Sequence, residues 1–447
     1  MPAKRKTLAA LLALVLALSA GCAGQSADTP GQPELSAPPE IVEPEPEPVP
    51  EPEPEPIVKT STATVAATGD ILMHYPIIKT GAQGDGNYDF GSIFMYFDDY
   101  VAKADYAAAN LETTLSGLDN GYPYQGYPRF NCPDGIVDSL KDAGFDILLT
   151  ANNHTFDTGE KGFLRTLAVI DERGLARIGT NADAAEPKYT VQEVNGIRIG
   201  MLCYTYETED GDPERKSLNC LPVTETAAPL INTFHYARLE DFYSELEGHL
   251  AAMEGEGAEA TVLFIHWGNE YQLQENEIQR EMAQRICDLG VDVIVGGHPH
   301  VIQPVDLLTS QTDPEHQTVC LYSMGNAVSN QRLERIPSGK GYTEDGLLFQ
   351  VTFAKYSDGT VLLESADILP TWVNLTTGEE SGKTAYEIIP LDKSVEDWKT
   401  AFTLTDREFA QAEKSYARTM SIVEAGLEEI RTALESRPTP QIHNKES

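Results

Sequence analysis

Two histidines stand two residues apart in VDVIVGGHPH, residues 291–300, just after an apolar run that is typical of a buried strand. Polar residues that can bind a metal follow four other apolar runs in the same way. Because ligands of open α/β sheets bind beyond the carboxyl ends of the strands, we expect these side chains to meet at one site. The candidate residues are Asp70, Glu112, Asn153, His154, His266, His298 and His300.

This set of carboxylate oxygens, an amide oxygen and imidazole nitrogens predicts a site for a divalent metal. The metal could be Mn, Fe, Zn or Mg, and the site could hold one or two ions. Two ions can bind both the attacking and the leaving oxygen of a phosphate ester. His154 and Asp157 are predicted to be catalytic, because an imidazole can protonate a leaving group near neutral pH. Each residue alone has a structural alternative: Asp70 could cap a helix, and Asn153 could serve a turn. Their occurrence together at five strand ends favours a metal site or a polar active site.

Short apolar segments alternate with amphipathic helical patterns from Lys59 to about Leu391, which indicates a layered α/β domain with buried sheets. Asn195–Gly196 and Asp358–Gly359 predict two hairpins, so we expect antiparallel as well as parallel strands. The predicted strands are 63–68, 104–110, 145–152, 197–206, 260–267, 291–297 and 318–326. The predicted helices are 135–144, 162–174, 239–254 and 276–290.

A long helix is predicted from about Thr405 to Ser436, where apolar residues recur every three or four positions. Gly426 is the only glycine in this segment. We expect the apolar face of the helix to pack on its own domain, and a partner protein is the alternative.

The amino terminus has the features of an exported lipoprotein. Basic residues precede an apolar run of 13 residues from Leu8 to Ala20, which is shorter than the roughly 20 residues of a transmembrane helix. The following LSAGC resembles the lipobox of bacterial lipoproteins, so Cys22 is expected to be lipidated and to anchor the protein outside the cytoplasm, at the cell membrane. Ordinary cleavage near Ala20 and secretion is the alternative.

A segment rich in proline and glutamate follows Cys22 and is predicted to be an extended, disordered stalk, because it has no apolar surface to bury. The predicted organisation is a signal peptide at 1–21, a lipid-anchored stalk at 22–58, an α/β domain at 59–391 and a helical tail at 392–447.

The formal net charge of −38 argues against nucleic acid as a partner, because nucleic-acid binding needs a basic surface. An acidic chain also raises the local concentration of cations. If Cys22 is lipidated, five cysteines remain, and none of them forms a C-x-x-C unit. The sequence therefore predicts neither a zinc ribbon nor a dense disulfide framework.

Six sequence blocks resemble the CapA family of capsule or poly-γ-glutamate biosynthesis proteins, whose domain is similar to metallophosphoesterases. The resemblance covers about residues 62–370 and implies a four-layer αββα sandwich with mixed sheets and a metal site at the strand ends. In chain order, the blocks are GDILMH, NLETTLSG, TANNHTFDTGEKGFLRTL, HWGNEY, GGHPHVIQPV and YSMGN.

The resemblance also implies a role for each candidate residue. It assigns Asp70 and His300 to a first metal, with Glu112 as the carboxylate that bridges two ions. The residues implied for the second metal are Asn153, His266 and His298, with His154 as the acid beside it. The residues expected near the cleft without an assigned role are Asn110, Glu270 and Asn326.

Two departures from the metallophosphoesterase pattern concern the first metal. Those proteins have a histidine two residues after the first aspartate, where this chain has Leu72, and His74 comes four residues after Asp70. Their second block begins with Gly-Asp, where this chain has Asn110-Leu111-Glu112. The departures leave open one ion, a rearranged pair, or no metal.

The leading hypothesis is a membrane-anchored, extracytoplasmic CapA-like protein in capsule or poly-γ-glutamate synthesis or export, with a metal-dependent phosphoesterase-like or hydrolase-like site. One alternative is a non-catalytic scaffold or binding subunit of a polymer synthase, and another is a secreted metal-dependent phosphodiesterase or nucleotidase. The expected partners are the membrane, through Cys22, and subunits of a polymer synthase.

Overall fold

Two mixed β-sheets pack against each other in the computed structural model, which describes residues 55–209, 215–333, 336, 341–377 and 384–437. The predicted signal peptide, Cys22 and the stalk as far as residue 54 lie outside the described residues, and so does the predicted tail from residue 438. No helix in the described ranges is long and apolar enough to cross a membrane.

The described strands belong to these two sheets and to one small hairpin. In chain order they are β1 Lys59–Ile71, β2 Tyr106–Leu111, β3 Ile147–Leu149, β4 Ala176–Ile178, β5 Tyr189–Val194, β6 Ile197–Tyr206, β7 Ser217–Leu218, β8 Leu221–Pro222, β9 Thr233–Phe234, β10 Ala260–His266, β11 Val293–Gly297, β12 Val305–Thr309, β13 Gln317–Leu321, β14 Asn326–Val328, β15 Asp345–Tyr356, β16 Val361–Thr377 and β17 Thr384–Pro390. The first sheet has the order β17-β16-β15-β1-β2-β3-β4, with β14 beside β1, and the second has β12-β13-β11-β10-β6-β5, with β9 beside β6. β7 and β8 form the small hairpin.

Helices cover the outer face of each sheet, which gives the predicted four-layer αββα sandwich. They are α1 Tyr75–Thr80, α2 Gly91–Phe94, α3 Asp98–Val101, α4 Gly135–Asp142, α5 Gly159–Glu172, α6 Leu239–Gly255, α7 Glu277–Asp288, α8 Trp398–Ala401 and α9 Asp406–Ser436, with 3₁₀ turns at Ala228–Leu230 and Tyr236–Arg238. Apolar residues of α1, α2, α4 and α5 pack on the first sheet, and those of α6 and α7 pack on the second.

Both faces of the central strands are buried, which explains the continuous apolar runs in the sequence. In β1, Val65 and Ala67 face the second sheet, whereas Ala66 between them faces the helices. This alternation follows from the two-residue repeat of a strand. Residues of β6, including Ile199 and Met201, supply the opposing surface between the sheets.

The segment 318–326, predicted as one strand, is divided between the two sheets. β13 pairs with β11 in the second sheet, and β14 pairs with β1 in the first. The chain crosses between the sheets through Gly325, whose φ is 70°. The backbones approach closely here, since a Cβ added to Gly69 would lie 1.9 Å from the Gly325 carbonyl oxygen. An apolar run predicts burial but not the sheet to which each part belongs.

The carboxyl-terminal helix α9 packs on its own domain, as expected. Its amino terminus has a capping box, in which Thr405 and Glu408 each satisfy a backbone N–H of the other. The helix contacts β16 of one sheet and β12 of the other. Its residues in the core between the sheets are Val423, Leu427 and Ile430.

Gly426 sets how closely α9 approaches β12. A Cβ added at Gly426 would lie 1.7 Å from the carbonyl oxygen of Val305. We therefore expect Gly426→Ala to lower the free energy of unfolding by about 1–3 kcal/mol, because the helix must move away from the strand. Urea denaturation followed by circular dichroism measures this change.

Gly248→Ala in α6 is the matched control, because no atom lies within 4 Å of a Cβ added there. Alanine favours a helix over glycine by up to about 1 kcal/mol, so this variant should be as stable as the natural chain or more stable. Equal stabilisation by both substitutions would contradict the close approach of α9 to β12.

Candidate metal centre

The carboxyl ends of strands from both sheets meet at one site. Asp70 is the penultimate residue of β1, Glu112 directly follows β2, and His266 ends β10. One ligand atom from each of these three residues lies within 4.8 Å of the others. The other predicted residues follow β3 and β11; they are Asn153, His154, His298 and His300.

Glu112 is the most unusual of these residues. It is fully buried, and no described residue donates a hydrogen bond to either carboxylate oxygen. His266 Nε2 lies 3.5 Å and His154 Nε2 lies 4.0 Å from Glu112 Oε1. Burial, and then the neighbouring Asp70 carboxylate, raise the pKa of Glu112 well above its usual range. A divalent cation would satisfy both oxygens and keep the carboxylate ionised.

His266 lies beside Glu112, and its ring centroid is 4.9 Å from that of His298. Burial lowers the pKa of His266 to about 3 and that of His298 well below its usual range, and a neutral imidazole is the form that binds a metal. His266 Nε2 lies 2.9 Å from Asn153 Oδ1. His298 Nδ1 is buried and has no hydrogen-bond partner in the described part of the chain. The structure thus brings together the donors implied for the second metal.

The GGHPH segment leaves space between these donors. A Cβ added to Gly297 would lie 3.3 Å from Asp70 Oδ1 and 3.4 Å from His266 Nδ1, so a side chain there would enter the centre. His298 and His300 have left-handed backbones, with φ of 95° and 58°. Each such conformation costs on the order of 1–3 kcal/mol and is typical of functional sites. Space, burial, donor types and the unpartnered Glu112 oxygens all fit a divalent metal.

Asp157 orients His154. His154 Nδ1 lies 2.7 Å from Asp157 Oδ2, and the Phe130 backbone N–H donates to the same oxygen at 2.6 Å. Asn219 Nδ2 donates to the other Asp157 oxygen at 2.8 Å. These contacts fix the imidazole so that its Nε2 is the nitrogen near Glu112. A group that protonates a leaving oxygen would need this placement.

Asn219 is a site residue that the sequence does not single out. It lies with Cys220 at the tip of the β7–β8 hairpin, and both have left-handed backbones, with φ of 49° and 56°. Asparagine favours this conformation in two-residue hairpins, so the turn itself has a sequence signal. Its contact with Asp157 joins residues 62 positions apart, and no local pattern predicts that contact.

Asp70 and His300 form a second buried group next to Glu112. His300 Nδ1 lies 3.1 Å from Asp70 Oδ2, and Asn110 Nδ2 donates to Asp70 Oδ1 at 2.7 Å. Burial opposes both charges, but the hydrogen bond between the pair lowers the pKa of Asp70 and raises the pKa of His300. Asn326 Oδ1 also lies 3.1 Å from His300 Nδ1. Two of the three residues without an assigned role, Asn110 and Asn326, are therefore in contact with this group.

His74, the candidate substitute for the absent histidine at position 72, packs beside the centre. Its Nδ1 lies 3.1 Å from the carbonyl oxygen of Leu72, and its ring meets that of Phe130 edge-on at 5.2 Å. Burial lowers the pKa of His74 to about 4. Glu270, also predicted to be near the cleft, is exposed and lies in the turn after β10. The structure places neither residue in the group formed by Asp70, Glu112 and His266.

Residues 64–331 match the family model for the bacterial capsule synthesis protein PGA_cap. The chain belongs to this family. It is 30% identical over 304 residues to the PGA biosynthesis protein CapA of Bacillus subtilis, and this alignment covers 67% of this chain and 70% of the relative. It is 27% identical over 326 residues to the capsule biosynthesis protein CapA of Bacillus anthracis, and this alignment covers 72% of this chain and 70% of the relative.

The match to PGA_cap confirms the resemblance that the six sequence blocks indicate, and every residue of the candidate metal centre lies within it. The NAD nucleotidase of Haemophilus influenzae has a solved structure that aligns with a TM-score of 0.43 at 13% identity, over 85% of this chain and 67% of that chain.

Glu112 gives a prediction for metal removal. With EDTA, Glu112→Gln should leave the free energy of unfolding unchanged or raise it by about 1 kcal/mol, because the natural carboxylate makes no hydrogen bond there. With Mn²⁺ at 100 times its dissociation constant, the natural chain should gain about 2.7 kcal/mol, and the variant should gain much less. Thermal unfolding with and without Mn²⁺ measures both effects.

Glu245→Gln is the control for this measurement. Glu245 lies outside the metal centre. Lys188 Nζ and Tyr204 Oη each donate a hydrogen bond to its carboxylate at 3.1 Å. Burial alone would raise its pKa, but hydrogen bonds, including those from His249 and Lys188, lower the pKa to about 2. Its substitution should therefore destabilise the protein equally with and without Mn²⁺. An equal Mn²⁺ response in the natural chain and Glu112→Gln would contradict the assignment of Glu112.

Proposed function

We propose that this PGA_cap protein is a metal-dependent hydrolase of the phosphoesterase type that acts outside the cytoplasm in capsule or poly-γ-glutamate synthesis or export. The observation that carries the hydrolase proposal is the buried Glu112 carboxylate, which has no donor from the described residues and lies among neutral nitrogen and oxygen donors. The names of the two Bacillus relatives support the connection with capsule and PGA synthesis.

Each group of residues has a distinct part in this proposal. Glu112, Asn153, His266 and His298 would hold one ion, and Asp70 and His300 are the residues available for another. A bound ion supplies Lewis acidity and lowers the pKa of a water molecule. His154 would donate a proton from Nε2 to the leaving oxygen, and Asp157 keeps the imidazole in that orientation.

The surface charge limits how an anionic substrate could bind. A chain with a net charge of −38 repels a phosphate ester or a polyglutamate strand. Bound divalent ions would supply the local positive charge, since they are the largest charges in such a site. The bound ions at the metal centre would therefore attract the anionic substrate.

One observation favours a non-catalytic scaffold as the second candidate. Leu72, in the position where metallophosphoesterases have a histidine ligand, is buried and apolar, so that position supplies no metal donor. A scaffold could keep the fold and one structural ion without turnover. The apolar face of α9 already packs on its own domain, so a synthase subunit would need another surface.

Metal content and turnover together test the hydrolase proposal. We expect purified protein loaded with Mn²⁺ to hydrolyse p-nitrophenyl phosphate or bis(p-nitrophenyl) phosphate. His298→Ala should lose metal and activity together, because its buried Nδ1 has no hydrogen-bond partner among the described residues and would bind the ion. His154→Ala should keep its metal while its turnover falls by about 10²–10⁴-fold, as for other general acids.

His316→Ala is the control, because this histidine contacts the Val291 carbonyl oxygen away from the centre. It should retain metal and turnover. Elemental analysis and both esters suffice for the comparison. If the protein binds metal but shows no turnover that depends on His298, the scaffold replaces the hydrolase as the proposed function. If the protein binds no metal, both metal-based proposals are wrong.

We also propose that the protein is anchored in the cell membrane by a lipid on Cys22. The support is the sequence alone: a short apolar run, the LSAGC ending and the stalk after it. We expect Cys22→Ala to move the protein from the membrane fraction to the soluble fraction and to abolish labelling by a palmitate analogue. Cys220→Ala, a substitution of an exposed cysteine, should leave both unchanged. Labelling that persists in Cys22→Ala would contradict the anchor.

A further inference from the structure

Asn326 lies at the candidate metal centre because the chain crosses there from the second sheet to the first. It is the first residue of β14, which pairs with β1 so that Asn326 lies opposite Asp70. Asn326 is fully buried, as Asp70 is. The structure therefore brings an amide side chain to the aspartate whose expected histidine neighbour in sequence is replaced by Leu72.

The hydrogen bonds of Asn326 fix which end of its amide faces the centre. Its Nδ2 is surrounded by four acceptors at 2.9–3.2 Å. An amide nitrogen donates and an amide oxygen only accepts, so the reversed orientation would oppose oxygen to oxygen. The four acceptors are the carbonyl oxygens of His300 and Thr343, Ser329 Oγ and Gln331 Oε1.

The orientation directs Asn326 Oδ1 to the same point as two donors of the first metal. Asn326 Oδ1 and Asp70 Oδ2 each lie 3.1 Å from His300 Nδ1. Two ligands bound at about 2.1 Å and at right angles to one ion are about 3.0 Å apart. The observed spacing of 3.1 Å fits neighbouring ligands on a common ion as well as it fits hydrogen bonds. Without an ion, the His300 N–H can be shared between the two oxygens.

The neighbouring groups leave the necessary oxygen atoms available. Asn110 Nδ2 donates to Asp70 Oδ1 at 2.7 Å, so the other oxygen, Oδ2, is the one directed at His300. Both oxygens of Glu112 lack donors among the described residues, so both would be available to bind metal. A pair of divalent ions with two carboxylates and otherwise neutral ligands keeps a net positive charge of about two, which suits an anionic substrate.

We propose that Asn326 Oδ1 is a ligand of a first metal ion, together with Asp70, His300 and Glu112, and that it takes the place of the histidine that Leu72 replaces. This inference rests on the metal-dependent function proposed above and extends it to a two-ion centre. Glu112, Asn153, His266 and His298 bind the second ion. The sequence departure at position 72 then removes one ligand without removing the site.

Crystals of the natural chain grown with Mn²⁺ test the assignment directly. Anomalous diffraction should show two manganese peaks, one of them within bonding distance of Asn326 Oδ1. Elemental analysis should give two Mn per chain for the natural protein and one for Asn326→Leu. The Mn²⁺ electron paramagnetic resonance signal should change from that of a coupled pair to that of an isolated ion in this variant.

Asn232→Leu is the matched control, because it removes another buried amide, which donates to the Lys188 carbonyl oxygen away from the centre. It should keep two ions. The inference is overturned by a single peak in the natural chain, by two peaks that both lie away from Asn326, or by two ions in Asn326→Leu. If Asn326→Leu does not fold, the diffraction experiment on the natural chain decides alone.

The same data separate this inference from the hydrolase proposal. Two ions bound as described, without hydrolysis of either ester, would support the role of Asn326 and end the hydrolase proposal. Hydrolysis that depends on His298 but uses one ion would support the hydrolase and overturn the role of Asn326.

Discussion

Glu112 holds a carboxylate in the protein interior, and no described residue donates a hydrogen bond to it. A buried carboxylate is tolerated when it is protonated or when a cation compensates its charge, and the groups around it determine which applies. Here they include neutral imidazoles and amide oxygens, which can bind a cation. Among the candidate ligands closest to Glu112, only Asp70 carries a second negative charge. The surrounding structure keeps these groups close together and away from water.

Close backbone approaches between paired strands make this arrangement possible, and the donors themselves come from two different sheets. At Gly69, an added Cβ would lie 1.9 Å from the Gly325 carbonyl oxygen, and at Gly296 it would lie 1.9 Å from the Tyr322 carbonyl oxygen. Glycine is the residue that permits such approaches. The left-handed backbones of His298 and His300 add local strain, which the packed interior can hold.

Much of the fold could be predicted because burial and local conformation leave marks in a single segment. The predicted strand 197–206 coincides with β6, and Asn195–Gly196 forms the expected turn, with left-handed φ values of 51° and 81°. The predicted terminal helix agrees with α9 to within one residue at its start. In contrast, the single strand predicted over 318–326 was wrong, because its apolar residues are buried in two different sheets.

The sequence by itself determined the chemical types at the strand ends, their order along the chain, the acidic charge and the family. Only the tertiary structure decided which of them meet: Asn326 opposite Asp70, Asn219 on Asp157, and His74 beside the centre rather than in it. The physical reason is the range of the interactions. Periodicity and turn residues report on a few neighbouring positions, whereas these contacts depend on strand pairing and packing between segments far apart in the chain.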